Sequence, residues 1–241
     1  FNHLAKNEFI VISIDYRLGM KNIGSKNIGN NHMEFVSLLN NSITVAVEDL
    51  YDATNYLIVN SDQLNIAKDL IILSGSSAGA ISVLHGEYDV CNKTELASKL
   101  PEDFQYAGTI AFAGAIFSTN GAIKWQQQPC PIQLFHGDAD SNVPYDKIEL
   151  LNFGFYGSQY IANQLDEMDS PYYFCNFINA DHRISHSPMV ENLDEIDSFL
   201  HKLLKKKESL KINQEIKTIG KPKMKKDFEL MDYIKSNWAG N

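Results

Sequence analysis

The sequence predicts one α/β domain built on a mostly parallel sheet with helices on both faces. Five short apolar, β-branched runs read as buried strands, and segments with apolar residues at helical spacing separate several of them. The length, 241 residues with 44% hydrophobic side chains, suits a single domain with a sizeable core.

The first run, FIVISIDY at 9–16, reads as a strand buried on both faces. Residues 19–42 are rich in Gly, Asn and Ser and predict a long surface excursion containing Gly19, Gly24 and Gly29. Val45, Leu50, Ala53 and Leu57 then recur at helical spacing. Residues 69–74, DLIILS, form a second strand that runs into Gly75-Ser76-Ser77-Ala78-Gly79-Ala80 and an apolar helix to about His85. Residues 106–117 and 131–135 give a third and a fourth strand, the latter ending at His136-Gly137-Asp138. A helix is expected over roughly 145–168 and a fifth strand over 172–178. Val190, Leu193, Ile196, Phe199, Leu200 and Leu203 make an amphipathic helix that closes the body at about residue 204. Beyond it, 205–225 reads as a solvated basic linker, and Phe228, Met231, Ile234 and Trp238 mark one face of a C-terminal helix. That helix could dock on the body, or serve a partner or a second copy.

Charge separates the same two parts. From Lys202 onward stand 11 lysines against five acidic residues, whereas the rest of the chain holds 10 basic and 25 acidic groups. An acidic body speaks against nucleic acid, whose phosphates need lysine and arginine. No apolar run is long enough to span a bilayer. Cys91, Cys130 and Cys175 have no metal-type spacing and read as small buried residues. The compartment is left open.

The chemistry centres on Ser77. Gly-x-Ser-x-Gly between an apolar strand and an apolar helix describes a sharp turn that lifts a hydroxyl above the carboxyl edge of the sheet. Gly75 and Gly79 suit the close approach of strand and helix, and the Ala78 amide at the helix start can donate to an oxyanion. A serine hydroxyl needs a base, and the base an orienting carboxylate. Asp138 and Asp140 both follow the fourth strand; His182, with His186 as the alternative, follows the fifth. His136, before both carboxylates, reads as structural. The aromatic residues between acid and base read mostly as core.

With these residues in place the chain resembles the carboxylesterase and lipase-like α/β hydrolases over roughly residues 1–203. Asp15-Tyr16-Arg17-Leu18-Gly19 is similar to their "DYRLG" strand, Gly75–Gly79 to their nucleophile elbow, and His136–Pro144 to their "HGxxDxxVP" acid loop. The resemblance implies an α/β-hydrolase fold and a Ser77–Asp140–His182 triad that cleaves a small-molecule carboxylic ester, with no metal or organic cofactor. Asp181 stands where the family has Gly before its histidine. No "HGGG"-like oxyanion loop occurs in the sequence. The resemblance therefore implies a fragment lacking the first strands and the oxyanion-loop strand, with activity belonging to the longer protein. A prolyl-oligopeptidase-type peptidase, a carbohydrate deacetylase and an inactive binding protein are the rival readings.

Overall fold

The computed structural model describes residues 2–20, 32–220 and 222–238. Residues 21–31, with Gly24 and Gly29 of the expected excursion, and the Trp238 side chain lie outside that description.

A short helix α1 (Asn2–Lys6) precedes the long α2 (His32–Val59) and a single turn, α3 (Ser61–Leu64). Strand β1 (Ile72–Ser76) leads into α4 (Ala78–Asn92), followed by β2 (Gly108–Phe112), β3 (Ala115–Ser118) and β4 (Ile132–Gly137). A hairpin of β5 (Lys147–Leu150) and β6 (Phe153–Gly157) comes before α5 (Ser158–Glu167) and β7 (Tyr172–Ile178). The chain continues through α6 (Pro188–Glu191), α7 (Leu193–Phe199), a π-helical stretch (Leu200–Lys205), β8 (Lys211–Lys217) and α8 (Leu230–Trp238).

The main sheet has the order β1-β2-β4-β7-β8, and every pair in it is parallel. Its central strands are buried on both faces, and alternate residues serve different layers. Ala111, Ile132, Leu134, Tyr172 and Phe174 pack with Ala80 and Leu84 of α4 and Ile161 and Leu165 of α5. Ile110, Phe112, Phe135, Tyr173 and Cys175 pack with Ile196, Phe199 and Leu203 on the other side. This is the period-two alternation of a sheet covered twice. The aromatic residues Tyr156, Tyr172, Tyr173 and Phe174 are core, as expected. Cys91 and Cys175 are buried, and all three cysteines are free thiols. Among the described residues no helix is long and apolar enough to cross a membrane.

Five segments differ from the sequence-based expectation. The run 106–117, expected as one strand, breaks at Ala113, where φ is 52°, into β2 of the main sheet and β3 outside it. Residues 9–18 pair with no strand among those described; β-branched side chains favour extended backbone, but only a neighbouring ladder makes a strand of it. The excursion expected to reach residue 42 gives way to α2 at His32, where Phe35, Leu39 and Ile43 face the core at helical spacing. The helix expected over 145–168 is confined to Ser158–Glu167, and β5 and β6 take 147–157 in a second, antiparallel sheet of order β3-β6-β5. The stretch 205–225, expected to be solvated linker, contributes β8 to the main sheet in full register with β7. There Ile212 and Ile216 reach the core while Lys211, Asn213, Glu215 and Lys217 face out. Charged side chains on an edge strand deter pairing with another chain.

Candidate active site

The carboxyl ends of β1, β4 and β7 bring the expected site residues to one edge of the sheet. Ser77 sits between β1 and α4 with φ 52° and ψ −117°, a left-handed backbone that costs any non-glycine residue stability. Its N–H donates to the Phe112 carbonyl at 2.8 Å, fixing the turn to the end of β2. A Cβ on Gly75 would stand 2.2 Å from the Gly79 carbonyl oxygen, so the turn requires glycine at 75. The matching expectation for Gly79 is corrected: a Cβ there would meet only the Tyr16 hydroxyl, at 4.0 Å. As the first helical residue, Ala78 has an amide that no helical carbonyl receives. Ala78 is exposed and Ser77 partly so.

The Ser77 Oγ lies 2.9 Å from Nε2 of His182. Nδ1 of His182 lies 2.7 Å from Oδ2 of Asp140. An ionised carboxylate only accepts, so the His182 proton resides on Nδ1 and Nε2 is free to accept from the serine hydroxyl. The other Asp140 oxygen, Oδ1, accepts the N–H groups of Asn142 at 2.8 Å and Val143 at 3.0 Å. Asp140 is 1% exposed. Burial alone would raise its pKa; hydrogen bonds from His136 and His182, with the fields of the two rings, outweigh that and hold it below the usual carboxylate range.

His136 is the residue whose place the sequence did not reveal. Fully buried, it directs Nε2 to Asp140 Oδ2 at 3.2 Å and to the Val143 carbonyl at 3.3 Å, so this nitrogen carries a proton. Its Nδ1 meets Ser158 Oγ at 2.8 Å, and Ser158 donates to the Gly114 carbonyl at 3.3 Å. One oxygen of Asp140 thus faces two imidazoles.

The alternatives occupy other roles. Asp138 accepts the Asn179 N–H at 2.6 Å through Oδ1 and pairs with Lys226 through Oδ2. His186 is exposed and turns Nδ1 towards Ser185 Oγ at 3.3 Å. Asp181, where the resemblance expects Gly, caps the short 3-10 turn His182–Ser185 by accepting the Arg183 N–H at 3.1 Å. The elbow and the base loop are joined directly, since Ser76 Oγ donates to the Ser185 carbonyl at 2.6 Å. Among the described residues no group of three or more His, Cys, Asp or Glu side chains is placed to hold a metal ion.

Acid and base loops also touch through their backbones. Ala139 N–H donates to the Ala180 carbonyl at 2.9 Å, and a Cβ on Gly137 would come within 2.2 Å of that same oxygen. Gly137→Ala is therefore expected to force the loops apart, lower stability by about 1–3 kcal/mol and lower the melting temperature accordingly. Thermal unfolding measured against the parent checks it.

Comparison with solved structures identifies the fold. Thermogutta terrifontis esterase 2 phosphonylated by cyclosarin aligns over 67% of this chain and 65% of its own, with 17% identity and a TM-score of 0.50. The apo form of the same esterase aligns over 67% and 66%, with 18% identity and a TM-score of 0.49. MGS-M1, an α/β hydrolase from a Medee basin deep-sea metagenome library, aligns over 65% and 62%, with 20% identity and a TM-score of 0.38. The match spans just under two thirds of the length of these neighbours. No protein-family profile matches the chain, and no curated protein sequence matches it closely. The parallel sheet, its flanking helices and the first of these alignments give the chain an α/β-hydrolase fold.

Proposed function

We propose that this chain carries the catalytic residues of a serine hydrolase that cleaves carboxylic esters through an acyl-enzyme, with Ser77 as nucleophile, His182 as general base and acid, and Asp140 as the orienting carboxylate. One observation carries the reading: an unbroken relay of 2.9 Å from Ser77 Oγ to His182 Nε2 and 2.7 Å from His182 Nδ1 to Asp140. In the proposed first half-reaction His182 takes the Ser77 proton as Oγ bonds to the ester carbonyl carbon. The carbonyl oxygen, now anionic, accepts from the Ala78 amide. Collapse breaks the bond to the alcohol, which leaves with the proton from His182. Water then attacks the acyl-serine by the same route and releases the acid. Ester rather than peptide cleavage is chosen on the resemblance of the Asp15–Gly19, Gly75–Gly79 and His136–Pro144 segments to carboxylesterases.

The esterase neighbour is phosphonylated in one of its structures, and the same chemistry provides the test here. A fluorophosphonate given to the full-length protein is expected to form a covalent adduct on Ser77, located by peptide mass spectrometry. An adduct confined to another serine, or no adduct, overturns the proposal.

A further inference from the structure

The basic C-terminal segment, which the proposed reaction does not use, runs across both loops that carry the acid and the base. After β8 it passes over Asn179, three residues before His182. The Asn179 side chain donates to the Pro222 carbonyl at 2.5 Å and accepts the Met224 N–H at 2.6 Å, clasping the strap backbone as a neighbouring strand would. Asn179 has φ 57°, a left-handed conformation that asparagine tolerates better than most residues. Its own N–H reaches Asp138 Oδ1. Lys226 of the strap pairs with the other oxygen of Asp138, whose side chain is only 9% exposed while that of the lysine is 38% exposed.

The strap lands again at its far end. Asn237 Nδ2 donates to the Asn142 carbonyl at 2.8 Å, and Ser236 Oγ lies 3.3 Å from Ser141 Oγ. Asn142 is the residue whose N–H holds Asp140 Oδ1. Between the two anchors Tyr233 is buried, and Phe228 packs on it edge-on with ring centroids 5.7 Å apart. Lys225, at 3.0 Å from Asp232 and 5.1 Å from the Phe228 ring centre, ties the strap to itself. Ile234 packs into the cluster that α2 forms with β1 and α4.

We propose that the segment 222–238 is a positioning strap for the triad, with Asn179, Lys226 and Asn237 as positioning residues that fix the Asp140 and His182 loops relative to each other. This rests on the serine-hydrolase reading. Loops at the rim of a sheet are mobile unless tied down, and a displacement of about 1 Å in a reacting group costs about 100-fold in rate. Each anchor acts within three residues of a triad member, whereas the neighbouring β4 and β7 are already fixed by the sheet. The excess of lysine after residue 202 and of carboxylates before it supplies attraction for this docking.

The test uses the full-length protein and three variants, Lys226→Met, Lys226→Arg and Asn237→Leu. Two quantities are read: turnover of p-nitrophenyl acetate together with the rate of Ser77 phosphonylation, and amide hydrogen exchange of peptides covering 138–144 and 178–186. Lys226→Met and Asn237→Leu are expected to lower kcat and the phosphonylation rate about tenfold with KM nearly unchanged. Exchange in both loops is expected to rise about tenfold while β4 stays protected. Lys226→Arg, which keeps the charge, restores parent values. Unchanged exchange in both loops overturns the strap, as does a change in KM alone, which would make the segment a wall of the substrate site. Higher turnover in the variants also overturns it, because the strap would then obstruct the site. A parent protein that neither turns over nor labels at Ser77 refutes the hydrolase reading, and loop exchange then decides the strap by itself.

Discussion

Ser77→Ala is expected to lower kcat for ester hydrolysis by about 10^6-fold while leaving the protein folded. The proposed reaction has no substitute for the Oγ: Ser76 directs its hydroxyl to the Ser185 carbonyl, and Ser74 lies within β1, ahead of the turn. Alanine meets the same φ of 52° that serine already adopts, so the change adds little backbone strain of its own. Turnover of p-nitrophenyl acetate and the melting temperature of parent and variant are the two measurements. A folded variant that keeps more than about 1% of parent turnover would place the nucleophile elsewhere. Complete loss of folding would make the residue structural.

Asp140→Asn is expected to cost about 10^4-fold in kcat, and the contacts of both carboxylate oxygens explain why the site cannot adapt. Oδ1 accepts two backbone N–H groups, from Asn142 and Val143. An asparagine must keep its carbonyl oxygen there, because an NH2 group facing two donors would be left unpaired in a buried place. The NH2 group is then turned to where Oδ2 stood, facing Nδ1 of His182 and Nε2 of His136. Both rings must give up the proton they carry at those positions. His182 then carries its proton on Nε2 and has no lone pair for the Ser77 hydroxyl. A variant that keeps parent kcat on p-nitrophenyl acetate would show that Asp140 does not orient the base.

Much of the sheet was legible in the sequence because its strands are short, apolar and bounded by turns. The segment 172–178 became β7 over the same residues. Signals failed where structure depends on a partner. β5 has little burial of its own and exists through pairing with β6; Gly157 ends β6 at the open end of the hairpin, where a Cβ would stand 1.9 Å from the Pro144 carbonyl oxygen. Three of the seven residues of β8 are charged, the composition of an edge strand and of a linker alike. Residues 9–16 showed the reverse error, a strand-like run with no ladder among the described residues.

At the site, residue types and chain order sufficed to nominate Ser77, the two carboxylates and the two histidines. Choosing between Asp138 and Asp140 needed the resemblance, since two residues apart on one loop they differ only in which way the side chain faces. The structure turns Asp138 towards the strap and Asp140 towards His182. The second imidazole on Asp140 was invisible because His136 reaches it across a turn whose geometry no local pattern encodes.

The left-handed backbone at residue 77 has a consequence for how such a sequence changes over generations. Glycine would occupy that conformation with less strain than any side chain, so drift towards greater robustness there runs against the proposed chemistry. Only selection for turnover would hold a hydroxyl on the tip of the elbow. A lineage released from that demand would be free to lose its reactive atom first and its architecture last.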